Sequence, residues 1–196
     1  MKKILLLIGA LLVVAGGSLV AYNTFRHKPV HGIILLDYDK QKIDRQLSTL
    51  DREAKKIETE GKWQEEEQVL ILPRENAQKL LKLQVLNKVT VDKDKYSFEP
   101  ATQLPEGSLL FSKDSEITVK NDIGEEVVPK QAEYIVLGDS SMFVKHILVA
   151  DDETYQTFQN AHSIYLTAFK SKKDASKEIA NYKELKIKQL YNPTMD

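Results

Sequence analysis

The chain has 196 residues, 42% of them apolar and none of them cysteine, with 28 basic and 29 acidic residues for a formal net charge of -1. That length fits one domain with additional segments, and the missing thiols exclude disulfides, thiolate metal sites, iron–sulfur clusters and cysteine nucleophiles. Lys2, Lys3, Arg26 and Lys28 precede Pro29 while every acid follows it, so the body of the chain is acidic and lacks the basic stripe by which nucleic-acid binders neutralise phosphates.

After Met1-Lys2-Lys3 comes an uncharged run of nineteen residues, Ile4 to Tyr22. At a rise of about 1.5 Å per residue a helix of that length reaches close to the roughly 30 Å hydrocarbon core of a bilayer. Residues 1–28 are therefore expected to form an uncleaved single-pass anchor, with residues 29–196 outside the membrane. The rival is a cleaved signal peptide, with Lys2-Lys3 as its basic region, Ile4–Val14 as its apolar region and Ala15-Gly16-Gly17 as small residues for a peptidase. Leu12–Ser18 is similar to a lipoprotein processing box, with Ser18 where the lipid-bearing cysteine would stand.

Beyond Pro29 the apolar run Val30–Leu36 reads as a buried strand. Asp37 or Asp39 can cap a following helix over 39–58, where Ile43, Leu47, Leu50, Ala54 and Ile57 form one apolar seam, and Gly61 closes that region. Gln68–Leu72 gives a second strand, and Pro73 leads into a helix over Arg74–Leu83 carrying Ala77, Leu80 and Leu81. Residues 29–86 thus read as a β-α-β-α half, and 87–107, polar with Pro100, Pro105 and Gly107, as a long connection. Residues 108–196 form a hairpin-rich half: strands at Ser108–Phe111 and Glu116–Lys120, a turn at Asn121–Gly124, strands at Glu125–Val128, Tyr134–Leu137 and Met142–Val149. Asp151-Asp152-Glu153 opens a helix with Tyr155 and Phe158 inward. A strand at Ser163–Phe169 and a last helix at Ala175–Leu185 complete an α/β (α+β) fold, a mixed sheet with flanking helices.

None of the four histidines, His27, His31, His146 and His162, has a second one three or four residues away as a helical metal pair requires, and each is expected to be structural or solvated. Asp92–Tyr96 starts like a calcium loop but has Ser97 in place of the sixth-position Gly and Gln103 in place of the twelfth-position Glu. Asp151, Asp152 and Glu153 are expected to cap and charge a helix start, with Asp151 or a neighbour as the cap. Ser140-Ser141 lacks the Gly-x-Ser-x-Gly elbow, and no phosphate-cradling glycine motif occurs. No catalytic, cofactor-binding or metal residue is assigned, and the chain is expected not to be an enzyme.

Two resemblances follow. The order Ile117–Val119, Val127-Val128, Tyr134–Gly138 and His146-Ile147-Leu148-Val149-Ala150-Asp151-Asp152-Glu153-Thr154-Tyr155, within residues 116–185, resembles the extracytoplasmic core domain of macrolide-exporter-type ABC permeases, the FtsX-like class. The basic apolar leader, the Val30-x-Gly-Ile-Ile-Leu strand and Val69–Pro73 running into Asn76–Leu81 resemble small exported lipoproteins of Gram-positive bacteria. These resemblances imply a non-catalytic accessory domain on the outer face of a cell membrane. Its partner would be an ABC permease or another envelope protein, in an export or antimicrobial-peptide resistance system. The alternatives are an extracytoplasmic ligand or peptide sensor and, behind it, an envelope hydrolase.

Overall fold

A computed structural model of the chain describes residues 29–48, 55–93, 95–114 and 117–193. The first strand, β1 (Gly32–Asp37), is buried at every position. Strand side chains alternate between two faces, so Ile33-Ile34-Leu35-Leu36 has to be covered on both, and β1 lies inside the largest sheet between two antiparallel neighbours. Asp39 caps helix α1 (Lys40–Leu47) by accepting from the Gln41 N–H at 2.9 Å, and Ile43 and Leu47 turn toward the sheet.

The helix is shorter than the seam implies. Leu50 and Ala54 fall outside the described residues, and Ile57 belongs to a strand, β2 (Lys56–Gln64). Two periods compete in this stretch. Ile57, Thr59, Gly61 and Trp63 also alternate with Lys56, Glu58, Glu60, Lys62 and Gln64. Eight-residue pairing with the strand His162–Lys170 selects the period of two. Gly61 closes no helix; it lies inside β2, where an added Cβ would stand 2.5 Å from the Ile71 carbonyl oxygen.

Strand β3 (Val69–Pro73) and helix α2 (Arg74–Lys82) fall where the apolar pattern and Pro73 put them. The helix ends in a paired closure. Gln84, at φ +61°, donates to Leu81 O at 2.9 Å and Val85 donates to Leu80 O at 3.0 Å, which satisfies carbonyls that would otherwise be orphaned. The connection expected over 87–107 is instead a hairpin, β4 (Leu86–Asp92) and β5 (Lys95–Pro100), turning at Lys93 with φ +44°. Its alternating Val89, Val91, Tyr96 and Phe98 were masked by charged neighbours and by a turn without the usual Asn-Gly or Asp-Gly pair.

The remaining strands are β6 (Leu109–Phe111), β7 (Val119–Lys120), β8 (Glu126–Val127), β9 (Lys130–Gln131), β10 (Ile135–Leu137), β11 (His146–Ala150), β12 (His162–Lys170) and β13 (Ile187–Tyr191). Helix α3 (Asp152–Gln156) follows β11, and α4 (Ala175–Glu178) runs into a single tight turn at Ile179–Asn181. Residues 142–145 are not strand, since β11 starts at His146 and leaves Met142 and Phe143 exposed. The last helix stops seven residues early, although Tyr182 and Leu185 do face the core. Beyond the turn Glu184 takes φ +61°, and the Asp37 carboxylate captures the Lys186 N–H at 3.0 Å, directing the chain into β13.

Eight strands form a mixed sheet in the order β13-β1-β12-β2-β3-β11-β6-β9, parallel only at β3–β11 and β6–β9. A smaller antiparallel sheet, β10-β4-β5, packs against it. One face of the large sheet, with Ile34, Leu36, Leu70, Leu72 and Leu166, meets α2 and the inner residues Leu86, Ile135 and Leu137 of the small sheet. The opposite face is covered in two places. Ile33, Leu35 and Phe169 lie under α1 and the α4 turn, while Val69, Ile71 and Leu148 lie under Phe158 and the β7–β8 hairpin. Between those covers β2 turns Glu58, Glu60 and Lys62 to solvent or partial exposure. The small sheet is tied to the edge strand β13 by the Gln189 amide, which donates to Ser140 O at 2.8 Å and to Leu137 O. At the same junction Gly138, with φ +65°, lies so near β13 that a Cβ would stand 2.7 Å from Leu190 O. The result is an α+β fold, with a mixed sheet, few helices and helices on both faces.

Candidate functional site

Antiparallel register carries Phe111 opposite Ile147, so the next residues outward, Ser112 and His146, meet although they are 34 positions apart. Ser112 is buried, and its hydroxyl donates to Asp114 O at 2.6 Å while accepting the Asp114 N–H at 2.9 Å. With its proton committed to that carbonyl, the oxygen stands 2.8 Å from His146 Nδ1 as an acceptor. Nδ1 then carries the imidazole proton and Nε2 keeps its lone pair. Burial pulls the His146 pKa below its ordinary value, against the opposing pull of Asp114, so the ring is neutral near pH 7. A serine whose proton is held by a backbone carbonyl, with an imidazole donating to it, is arranged as a lock for the chain after β6.

Beside the lock opens a cleft of about 570 Å³ lined by Lys113, Asp114, Tyr134, Ser141, Lys145 and His146. Two ammonium groups, one carboxylate, a phenol, a hydroxyl and a neutral imidazole offer hydrogen bonds and charge to a docked group. Lys113 also donates to the Tyr96 hydroxyl at 3.3 Å and lies 5.7 Å from the centre of its ring, joining the cleft to the β4–β5 hairpin.

A second polar cluster gathers at the C-terminal end of β1. Glu65 accepts from the Tyr38 hydroxyl at 2.7 Å, from Trp63 Nε1 at 2.9 Å and from Lys186 Nζ at 2.8 Å. Lys186, then Tyr38 and Trp63, hold the Glu65 carboxyl down to about 2. Lys186 also stands 4.7 Å above the Tyr38 ring. The carboxylate is fully engaged at neutral pH, and the cluster acts as a clasp between β1, the β2–β3 turn and the entry to β13.

The residues singled out in the sequence are placed as follows. His27 lies outside the described residues. His31 precedes β1 and its carbonyl accepts from Ser171 N at 2.7 Å, His162 stacks at a tilt 5.7 Å from Tyr38, and His146 belongs to the lock. Asp92 closes the β4–β5 turn opposite Lys95. Asp151 is the N-cap of α3, accepting from Thr154 N at 2.9 Å and from Ser108 Oγ at 2.8 Å, and these bonds hold its carboxyl below the usual range. Asp152 and Glu153 occupy the exposed first turn. Among the described residues no three histidine or acidic side chains gather in a way that could hold a metal ion. Asp151→Ala should cost about 1 kcal/mol in equilibrium unfolding, and calcium up to millimolar should leave the melting temperature of the parent unchanged; a calcium-dependent rise abolished by Asp152→Ala would make the acidic triplet a cation site. Neither the lock nor the clasp was singled out in the sequence, because each is assembled from residues far apart in the chain with no local spacing to mark them.

These features define a mixed-sheet α+β domain with a polar cleft beside the Ser112–His146 contact. The chain belongs to an uncharacterised lipoprotein family, whose profile matches residues 30–193. It is similar in fold to the crystal structure of a Bacillus anthracis protein described as a "putative lipoprotein", with a TM-score of 0.68 at 18% identity, over 83% of this chain and 99% of that one. Among curated proteins none matches. The family places the chain among membrane-associated extracytoplasmic proteins. Among the described residues no helix is long and apolar enough to cross a membrane; the single-pass anchor expected at Ile4–Tyr22 lies outside them. The chain has no cysteine, so a thioether-linked lipid has no sulfur to attach to.

Proposed function

We propose that this protein is a non-catalytic binding domain, held at the outer face of a cell membrane by residues 1–28 and acting as an accessory to an ABC-type exporter. The observation that carries the reading is the Ser112–His146 lock and the cleft beside it. The hydroxyl proton is engaged at 2.6 Å by Asp114 O, while Lys113, Tyr134, Ser141 and Lys145 surround about 570 Å³ of open space suited to holding a partner's polar groups. The choice of an ABC-type partner rests on the resemblance of residues 116–185 to the FtsX-like class. Confinement to one membrane raises the effective concentration of any partner in that membrane, so a small docking surface suffices.

The test is a photoreactive side chain placed at position 145 of the full-length chain in cells. An adduct with an ABC permease that disappears in a Lys113→Glu background is the expected result. An adduct with a small peptide would select the sensor reading, and labelling that Lys113→Glu leaves unchanged would remove the cleft from the account.

A further inference from the structure

Strand β5 pairs with β4 alone in its sheet, and every residue from Lys95 to Glu99 is exposed. Its side chains divide by face. Directly opposed residues of an antiparallel pair share a face, so Tyr96 sits beside Val91 and Phe98 beside Val89, whereas Lys95, Ser97 and Glu99 share the other face with Asp92, Thr90 and Lys88. On the first face Tyr96 is 53% exposed, Val91 51% and Phe98 36%. An apolar strip of that kind beside a free strand edge is the arrangement natural sheets usually cover or blunt.

The backbone defines which groups are free. Ala101 N donates to Leu86 O at 2.8 Å, and Val89 N donates away from β5 to Tyr134 O at 2.9 Å. Hydrogen-bonded and non-bonded pairs alternate along an antiparallel ladder, so Lys95, Ser97 and Glu99 direct their peptide groups to β4, while Tyr96 and Phe98 direct theirs to the open edge.

We infer that β5 is the interface of a homodimer, in which two copies pair antiparallel about Ser97. The segment Lys95-Tyr96-Ser97-Phe98-Glu99 is its own complement in that register. Lys95 falls opposite Glu99 of the second copy and Tyr96 opposite its Phe98, each pair occurring twice by symmetry. The outward peptide groups of Tyr96 and Phe98 are the ones that this register brings together, giving four backbone hydrogen bonds, with Ser97 facing Ser97 as the non-bonded pair on the axis. A shift of one residue in either direction loses both the ion pairs and the aromatic pairs. The two small sheets become one continuous sheet of six strands, in which Tyr96 of each copy keeps its own Lys113 contact. Two strands bury less than the roughly 1,200–2,000 Å² of a standard stable interface, so the dimer belongs to chains confined to a membrane, where local concentration is high.

The absence of native cysteine makes the test direct. Opposed non-bonded residues stand about 4.5 Å apart between Cα atoms, within the range a disulfide spans. Full-length Ser97→Cys in membranes should give a disulfide-linked dimer under mild oxidation, whereas Ile123→Cys, on an exposed turn, should stay monomeric. Lys95→Glu added to Ser97→Cys should abolish the dimer by setting like charges against each other, and further addition of Glu99→Lys should restore it. Cross-linking of Ser97→Cys no faster than Ile123→Cys would overturn the dimer, as would cross-linking that the single charge reversal leaves unchanged. Lys95 and Pro100 would then be guards of a solitary edge.

Discussion

Replacing Ile43 with Asp should lower the unfolding free energy by about 4 kcal/mol, read in urea through the fluorescence of Trp63, the single tryptophan and itself buried. Ile43 is 1% exposed and packs with Ile33, Leu35 and Phe169 beneath α1. The substitution removes a side chain whose truncation alone costs about 2–5 kcal/mol, and it places a carboxyl where the ionised form has no partner and the protonated form fills less space. A loss of that size consumes a large part of the roughly 5–15 kcal/mol that holds a domain of this kind together. Leu47→Asp should cost less, because Leu47 lies in the last turn and is 9% exposed, so its carboxylate can turn toward water. Equal costs at the two positions would mean that the helix end is buried as deeply as its middle. An unchanged midpoint for Ile43→Asp would mean that the seam faces outward.

The contrast between those two positions reflects what could be read from the sequence in this region. Ile43 and Leu47 mark the buried side of α1 correctly, and a 3.6-residue seam is sufficient to find them. The seam does not continue to Ile57, since that residue satisfies both a helical and an alternating pattern, and its pairing partner Ala168 is more than a hundred residues away. The strands built on a continuous apolar run, β1, β3 and β11, are legible for the opposite reason: a strand covered on both faces needs no period, only a run. Pro73 before α2 and Asp151 before α3 also mark boundaries that local chemistry alone decides.

The β4–β5 hairpin and β13 were missed because the signals that define them are not local. In the hairpin, a turn at Lys93 takes the place of glycine, and the apolar face is left open to solvent, which makes the segment as polar as a loop on average. In β13, Ile187, Gln189 and Tyr191 point inward while Lys188 and Leu190 are half-buried, a weak alternation set by the neighbouring β1. The Ser112–His146 lock depends on register in the same way. Serine and histidine are common residues, and only the alignment of β6 with β11 brings these two together. No spacing rule along the chain could have done so. Two-strand juxtapositions of this kind are therefore where structure adds most, and the β5 self-pairing extends the argument from one chain to two.

The second large effect is expected at Gly32, where β1 begins. Its Cβ would fall within the ring of Tyr191, which lies directly opposite in the β1–β13 register and is fully buried. Such a ring cannot swing aside into solvent, because it is fully buried within the main core. Gly32→Ala should therefore destabilise by about 3 kcal/mol, the upper part of the range for an overpacked site, even though alanine normally suits a strand better than glycine does. Tyr191→Ala should itself cost about 3–5 kcal/mol through the cavity it leaves. The two losses should not add, since the cavity made by the second substitution accommodates the methyl group of the first. In the Tyr191→Ala background, Gly32→Ala should be close to neutral, a coupling of about 3 kcal/mol. Additive losses across that cycle would mean that the glycine is required for its backbone freedom and not for the ring above it. Since Gly32 is a regular strand residue without a positive φ, steric room for Tyr191 is the expected cause, and it is what holds the edge strand β13 against β1.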